Sequence, residues 1–530
     1  SEETLPKEPS MSNAALDKKI LLPTIAIVLL TSAPLIFYAS SLQGMIQSIY
    51  DFTAKSFGWG YILLYLLGGF FVFFIAFSPY GKIKLGGHDQ KPVFNNFHWG
   101  SMIIAAGHGI GMVNWSMVEP LITNNAAPLG HGANAAYSYE VATAYTFFHW
   151  GPYYWVLYLI PCIPIFYFMG VRQVKKQRVS ECLTPLFGRK LIDGWFGVCL
   201  DVFIIMGLAG GIGSTLATAV QLVSGLYADY FGLPDTQALH LGVLGMFTVI
   251  TLGSIRKPLS KGMRLLSDMN SILALSLLAI VLIGGATGYF FSLGTNTLGM
   301  VLDMFPRVSG WTDPFNASGF PAKWTVFYGA WFLAYGPMMA IFFTGISMGR
   351  TLRETVLGVY FFGCLSSFLF SVIFGGFSLY LQYTGQFDVY AFYLANGLPN
   401  TVSKVVSLTP LHQIMSPAFL ICCTIFLTTT IDAATRVMAS MSSKEILSDQ
   451  EPSVTSKYIW CISLSILVLG VLLVGGLEII QALVVLAAIP LLGICVIMNI
   501  SMFKAVREDF PNIWAANLLY IDKGKSGGKA

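Results

Sequence analysis

The sequence predicts an all-α polytopic membrane protein in which twelve helices cross a lipid bilayer. Its 530 residues are 55% hydrophobic and only 11% charged, with a mean hydropathy of +0.69. Soluble domains carry about 25% charged residues, so lipid has to be the solvent for most of this surface. At about 20 apolar residues per crossing plus short loops, the chain is long enough for about twelve transmembrane helices.

Apolar runs separated by polar, glycine or proline breaks mark the crossings. Several runs exceed the length that a perpendicular helix needs, which predicts tilted helices. Between the seventh and eighth runs, residues 293–322 are too polar to cross and predict a short helix along the outer face. The predicted spans cover residues 20–42, 57–79, 98–120, 138–169, 192–227, 236–255, 263–292, 323–349, 354–384, 409–440, 457–475 and 478–504.

Lysine and arginine are concentrated in alternate loops, and this asymmetry predicts the orientation of the chain. The loop 170–191, after the fourth span, carries six basic residues, whereas the loop 121–137 carries none. Both termini are therefore predicted to be cytoplasmic, in a bacterial-type inner membrane. Residues 1–18 predict a disordered cytoplasmic tail, because they are polar and lack the apolar stretch of a signal peptide. Residues 508–530 predict a short second tail.

Charge and cysteine content exclude two other classes of function. The net charge of +4 is too small to indicate nucleic-acid binding. The eight cysteines fall mostly in apolar runs and have neither metal-ligand nor redox spacing, which predicts small buried residues.

Three glycines alternate in the third span at positions 107, 109 and 111, ahead of Trp115 and a Glu119-Pro120 pair. Glycine weakens a helix by about 1 kcal/mol relative to alanine, and it lets a ligand approach the backbone. Unwound backbone inside a bilayer is tolerated only around a buried site or an aqueous cavity. The pattern indicates a binding site, with close helix packing as the alternative.

Aromatic residues are concentrated in the fourth and eighth spans. On an ideal helix, Trp150, Trp155 and Tyr158 fall within an arc of about 140°. In the eighth span, aromatic residues recur at three- and four-residue steps, which makes one stripe. The stripe consists of Trp324, Phe327 or Tyr328, Trp331 and Tyr335. Two aromatic faces can enclose a methylated cation at about 0.5–2 kcal/mol per ring. The alternative, an interfacial aromatic belt, applies most directly to Trp324.

The tenth span carries consecutive threonines at 428–430, followed by Asp432 and Arg436. Hydroxyl oxygens are hard ligands that suit a small alkali cation. The alternative is that each hydroxyl bonds to a preceding carbonyl within the helix. Asp432 and Arg436 are four residues apart and are expected to pair near the cytoplasmic end of the span.

Together these segments resemble the betaine/choline/carnitine transporter (BCCT) family over nearly the whole chain. The glycine segment ending in Glu119-Pro120, the run 149–158, and the run from Trp324 to Glu354 look like the family's motifs in spans three, four and eight. The resemblance implies a homotrimer that works by alternating access. It also implies a LeuT-like inverted-repeat core in spans three to twelve, within a transporter domain covering residues 19–507.

The resemblance also implies a substrate site at mid-membrane. Gly329 and Phe332 stand where members usually have tryptophan, so we expect less ring area and more room in this aromatic box. Gly111 stands where choline carriers tend to place aspartate, which argues against choline. The implied substrate-binding residues are Trp150, Trp155, Tyr158, Trp331, Phe332, Tyr335, Trp324, Met339, Gly107, Gly109 and Gly111.

Sodium is the coupling ion that the resemblance implies, and no other cofactor is expected. Sodium-independent carnitine exchangers place an arginine in the ion site, where this chain has Asn270 in the segment 267–271. That difference favours sodium coupling, although Trp324 and Met339 also resemble the exchangers. The implied ion ligands are Ala105, His108 (through its carbonyl), Phe426, Thr429 and Thr430.

The predicted function is sodium-coupled uptake of a small methylated ammonium or sulfonium solute, such as glycine betaine, a carnitine-like betaine or trimethylamine. Sodium-independent exchange is the alternative within transport. An integral membrane enzyme would need clustered His, Asp and Glu side chains, but the histidines are scattered, and His108 and His149 have no evident carboxylate partner. An ion channel would need rings of like charge or repeated filter loops, and neither occurs in the sequence.

Overall fold

The computed structural model describes residues 14–130, 132–256, 259–448, 450–474 and 477–515. It is all-helical: 81% of it is helix, and no strand occurs in these residues. Within the described ranges, eleven helices are long and apolar enough to cross a membrane. The composition therefore predicted the class of the protein correctly.

Sixteen helices of eight residues or more, numbered here in chain order, organise the described part of the chain. Their bounds are α1 Lys18–Phe37, α2 Ala39–Phe77, α3 Asn96–Gly107, α4 Gly109–Ser116, α5 Glu119–Ala126, α6 Ala136–Val171, α7 Trp195–Phe231, α8 Gln237–Ser254, α9 Leu259–Gly284, α10 Thr287–Ser309, α11 Pro321–Ile346, α12 Leu352–Tyr383, α13 Val389–Ser407, α14 His412–Met441, α15 Val454–Val474 and α16 Leu477–Asp509.

The predicted third span, 98–120, is broken into the three short helices α3, α4 and α5. For this reason it is not among the eleven continuous candidates, and the count of twelve crossings stays a prediction. The first break falls at His108, between two of the alternating glycines, where the helix is intrinsically weakest.

Two features after the sixth span differ from the prediction. The span 263–292 is wrong at its end, because α9 stops at Gly284 and α10 begins at Thr287. The apolar run continues through this interruption, so hydropathy alone does not reveal it. The helix expected within 293–322 therefore starts earlier and is 23 residues long. The α13 helix, kinked at Gly397, was not predicted at all.

The centre of the bundle is formed by α6 and α11, which pack against each other along their lengths. The most apolar window of α6 is 94% buried and that of α11 is 100% buried, against only 22% for α8. Side chains on α6 and α11 are therefore enclosed by protein on all sides. The aromatic residues predicted to bind substrate lie on these two helices.

The segment before α1 is attached to the turn that follows α14. The Asp17 amide donates to the Ser442 carbonyl at 2.9 Å, and the Lys444 amide donates to the Ala15 carbonyl at 2.9 Å. Asp17 also pairs with Arg178 at 2.6 Å, and Arg178 donates to the Ser443 carbonyl at 2.8 Å. The last residues of the predicted N-terminal tail are therefore ordered, while residues 1–13 lie outside the described part.

A buried ionic cluster closes the bundle at the same end. Asp432 and Arg436 pair at 3.0 Å, which confirms the expected contact. Arg436 also contacts Glu451 at 2.5 Å, and Lys457 lies 3.4 Å from the same carboxylate. The cluster combines two acids with two bases, so little net charge is buried.

At the C-terminal end, α16 continues to Asp509 in the predicted tail, of which residues 516–530 lie outside the described ranges.

Candidate functional site

The three alternating glycines each face a residue of the candidate site. Gly109 has a φ of +49°, a left-handed conformation that glycine adopts without strain. A Cβ added at Gly109 would lie 3.0 Å from the Thr430 hydroxyl. At Gly107 it would lie 2.4 Å from the Trp155 ring, and at Gly111 3.4 Å from the Trp150 ring. The break therefore brings the backbone against both the aromatic residues and the threonines.

A turn of π-helix over His149–Tyr153 shifts the register of side chains along α6. Trp150 and Tyr154 are four residues apart and are stacked, with ring centroids 5.6 Å apart and planes at 23°. An ideal helix already places residues four apart on one face, so Tyr154 falls within the arc of Trp150, Trp155 and Tyr158, although it was not among the predicted residues.

Rings from α6 and α11 meet in one cluster, which we call the ring cluster: Trp150, Tyr154, Tyr328, Trp331 and Phe332. The Trp150 centroid lies 5.5 Å from those of Tyr328 and Phe332 and 5.6 Å from that of Trp331. The Tyr154 and Phe332 centroids are 3.9 Å apart. The rings pack directly on one another in this conformation, so a ligand has to part them.

Trp155 and Tyr158 lie one turn further along α6, beside the break at His108. Their ring centroids are 5.5 Å apart. The hydroxyl of Tyr158 donates to the Gly107 carbonyl at 3.1 Å, and the Tyr154 hydroxyl donates to the same carbonyl. The tyrosine hydroxyls of α6 therefore bind a backbone carbonyl that the glycine segment leaves accessible.

The remaining predicted substrate residues lie at other levels of α11. Trp324 is near the start of the helix, where its ring packs on Trp115 at 5.9 Å and on Tyr328 at 6.3 Å. Tyr335 and Met339 are buried one and two turns beyond Trp331. The sequence-predicted set is thus a column along α11, and the ring cluster occupies only its middle.

The indole N–H groups of three predicted residues are held by hydrogen bonds. Trp331 donates to the Thr215 hydroxyl of α7 at 2.6 Å. Trp155 donates to Nε2 of His108 at 3.0 Å. Trp150 donates to the Glu119 carboxylate at 2.6 Å. Each of these ring planes is therefore fixed by a partner as well as by packing.

Glu119 and His149 form a buried pair, which corrects the expectation that His149 has no carboxylate partner. The Nδ1 atom of His149 lies 2.6 Å from Oε1 of Glu119, and both side chains are at most 2% exposed. Nε2 of His149 lies 3.0 Å from the Thr325 hydroxyl. The two residues are 30 positions apart in sequence, so spacing could not reveal the contact.

The space over Gly329 also differs from the expectation. A Cβ at Gly329 would lie 2.3 Å from the hydroxyl oxygen of Tyr153, which donates to the Thr325 carbonyl at 3.0 Å. Tyr153 thus fills the room that the missing tryptophan was expected to leave.

The predicted ion ligands are buried on both sides of the break. Thr429 and Thr430 both donate to the Phe426 carbonyl, at 3.0 and 2.8 Å, so their oxygens keep lone pairs free for a cation. These hydroxyls are hard oxygen donors, which is the chemistry that an alkali cation needs. Ala105 is 1% exposed and lies in the last turns of α3.

The side chain of His108 points away from the threonines. Its Nδ1 lies 2.9 Å from the Ser366 hydroxyl of α12, and its Nε2 lies 2.9 Å from the Trp150 carbonyl and 3.0 Å from the Trp155 indole nitrogen. Both ring nitrogens are therefore engaged, and an ion contact through the His108 carbonyl stays a prediction.

Two cavities lie beside the ring cluster and along α7. A gap of about 10 Å³ is lined by Trp115, Thr218, Trp331 and neighbouring residues. A larger cavity of about 380 Å³ shares Thr218 with it and is bounded by α13 around Tyr393 and Gly397. We call this larger cavity the vestibule. Near the start of α7, Asp201 accepts a hydrogen bond from Ser180, which lies at the ionic-cluster end, whereas near the end of α7 Asp229 accepts one from Ser403 of α13. The vestibule therefore lies toward the end of the bundle opposite the ionic cluster.

Sequence reasoning missed Tyr154, Glu119 and Thr215 as parts of the site. The adjacent pair Tyr153-Tyr154 was a visible signal for further aromatic residues, and Glu119 lay in a quoted motif. Thr215 had no signal that would connect it to Trp331, because the contact joins two distant helices.

This geometry defines a class of protein: a membrane protein of many helices in which a broken helix packs against a buried aromatic cluster. It is the arrangement expected of secondary transporters, in which unwound helices hold the substrate at mid-membrane. A family model described as the betaine/carnitine/choline family transporter matches residues 19–511. The chain belongs to this family, whose members are transporters and not enzymes, and it is therefore a betaine/carnitine/choline-type transporter.

Proposed function

We propose that the protein takes up a small methylated ammonium or sulfonium solute by sodium-coupled alternating access. The single observation that carries this proposal is the ring cluster, which meets the unwound glycine segment in the interior of the bundle. A quaternary head group has no N–H to donate and therefore suits bare aromatic faces. Glycine betaine, a carnitine-like betaine and trimethylamine are the candidate solutes.

The ring cluster supports an onium ligand by its chemistry. Each ring face contributes about 0.5–2 kcal/mol to a cation, more when water is excluded. The Glu119 carboxylate, which contacts the cluster, is engaged by Trp150 and His149, so it is not a direct counter-ion in this conformation. The rings rather than an acid would then recognise the head group.

Sodium binding is supported by the threonines facing the break in the third span. Thr430 lies against Gly109, and Thr429 is its neighbour, so an ion held there would join α14 to the unwound backbone. The carbonyls of Ala105, His108 and Phe426 would complete the shell. An ion at this place would favour one arrangement of α14 against α3, which is how it could couple to substrate binding.

Alternating access is supported by the unequal ends of the bundle. The gap beside the ring cluster shares Thr218 with the vestibule, whereas the buried ionic cluster lies at the other end of the bundle. We further propose an inner-membrane homotrimer with both termini cytoplasmic. The basic residues of alternate loops support the orientation.

Uptake into proteoliposomes tests this function. Labelled glycine betaine and trimethylamine are offered with and without an inward sodium gradient. Uptake that requires sodium is the expected result. Equal uptake without sodium, accelerated by unlabelled substrate inside the vesicles, would instead identify an exchanger and leave the two threonines with a structural role.

A further inference from the structure

Trp115 differs from Trp150, Trp155 and Trp331 in having an unused hydrogen-bond donor. It lies on α4, is 1% exposed, and its indole N–H has no acceptor among the residues that the structure describes. By contrast, the N–H groups of Trp150, Trp155 and Trp331 are each bonded to a side chain. An indole N–H can only donate, and leaving it buried without an acceptor costs about 1–3 kcal/mol.

The surroundings of Trp115 offer hydroxyl oxygens but few donors. It lines the gap of about 10 Å³ together with Ser214, Thr215 and Thr218 of α7. Ser214 donates to the Gly210 carbonyl at 2.9 Å, and Thr218 donates to the Ser214 carbonyl at 3.1 Å. Their protons are thus engaged within α7. The Trp115 N–H is the unengaged donor at this gap.

The gap also adjoins the ring cluster, because Trp331 forms part of its wall. A ligand whose onium head parts the ring cluster at Trp331 would therefore carry a short substituent toward Trp115. A carboxylate is the acceptor that best suits such a donor, since hydrogen bonds to ionised groups are about twice as strong as neutral ones. A zwitterion also brings no net charge into the low-dielectric interior.

We propose that the indole N–H of Trp115 donates to the carboxylate of the substrate and so selects zwitterionic betaines over plain methylated ammonium ions. Trp115 is then a specificity-determining residue, distinct from the rings that hold the onium head. This inference rests on the proposed function, because it requires the head group to occupy the ring cluster.

Binding to the purified full-length protein in nanodiscs tests the assignment by isothermal titration with glycine betaine and with tetramethylammonium. Trp115→Phe keeps a ring but deletes the N–H. We expect glycine betaine to bind the variant about tenfold or more weakly, the loss of one charged hydrogen bond, and tetramethylammonium to bind both proteins alike. Trp460→Phe is the matched control, because its N–H bonds to Ser442 away from the site.

Equal changes for both ligands in Trp115→Phe, or no change for either, would overturn the assignment. Choline provides a further arm: if it loses as much affinity as glycine betaine, the Trp115 N–H does not select a carboxylate over a hydroxyl, and the proposed selectivity is overturned. Should Trp115→Phe fail to fold, benzothienylalanine incorporated at position 115 keeps the indole shape without the N–H. Wild-type protein that binds neither ligand would refute the proposed function itself, and this inference with it.

Discussion

The carboxylate of Glu119 lies 2.6 Å from the indole nitrogen of Trp150, and this hydrogen bond joins the start of α5 to the ring cluster. Its second oxygen lies 2.6 Å from His149. These two contacts give each buried Glu119 oxygen a hydrogen-bond partner. The contact with Trp150 also fixes the plane of its ring from outside the ring cluster. Glu119 is thus a positioning residue, since the rings alone touch the proposed ligand.

Glu119→Gln should weaken substrate binding without removing the fold. The neutral amide accepts a weaker hydrogen bond from Trp150 than the carboxylate does, so the ring is held less firmly. We expect the Kd for glycine betaine to rise about tenfold. Titration calorimetry measures it. Glu354→Gln is the control, because Glu354 caps the start of α12 and lies outside the candidate site. Unchanged affinity in Glu119→Gln would show that Trp150 is held by packing alone.

Gly107→Ala should impair transport through steric conflict with Trp155. The new methyl group would lie 2.4 Å from the ring, so the ring or α3 has to move. Overpacking of this kind costs about 1–3 kcal/mol. We expect a lower melting temperature and uptake reduced by about tenfold. Gly69→Ala is the matched control, since nothing lies within 4 Å of its added methyl group. Two variants with the same uptake would contradict the predicted close approach at Gly107.

Thr429→Val and Thr430→Val should raise the sodium concentration needed for half-maximal uptake. Each change keeps the branched shape and removes one oxygen from the proposed ion shell. The expected increase is about tenfold, similar to the loss of one charged hydrogen bond. Thr428→Val serves as the control, since Thr428 makes the same kind of backbone bond, to the Thr424 carbonyl, but is not among the proposed ion ligands. If all three variants respond to sodium like the wild type, the ion binds elsewhere.

The loop before α11 should lose stability in acid because of Asp313. Burial raises the pKa of this carboxyl, but the backbone N–H groups of Ser318, Gly319 and Ala317 together outweigh that effect and lower its pKa. Because the pKa is lower in the folded state, the carboxylate stabilises the loop at pH values above the unfolded pKa of about 3.9. This stabilisation is lost as the pH falls from there through the folded pKa.

Thermal melting between about pH 5 and pH 3 measures the effect of this loop. The wild type should lose melting temperature on acidification more steeply than Asp313→Ala, which starts lower. Asp89→Ala, in another exposed loop, should follow the wild type. Parallel curves for the wild type and Asp313→Ala would show that these backbone bonds do not stabilise the protein measurably.

The sequence predicted most of the long helices because an apolar run is what a bilayer selects. It failed where backbone conformation changes inside an apolar run, as at Gly285, or where a helix is polar and kinked, as in α13. Hydropathy averages over such points, and only the local backbone conformation distinguishes them.

The candidate site was predicted from residue type and spacing, which identified the glycines, the tryptophans and the threonines. Tyr154 stacks on Trp150 at the spacing of an ordinary helical turn, so this contact could have been predicted from spacing and was overlooked. Contacts between distant helices, such as Glu119 with His149, have no periodic signature in a single sequence. The partners that orient the rings could therefore be found only from the structure.

The short segment ahead of α1 carries a mechanical consequence. Ala15 and Asp17 are hydrogen-bonded to the turn after α14, and Asp17 also holds Arg178 beyond the end of α6. In the proposed alternating-access cycle, a movement of α14 relative to α6 would either break these hydrogen bonds or move α1 together with α14. The peripheral helix α1 would then be coupled to the transport cycle, and the resistance of the lipid to its movement would contribute to the turnover rate.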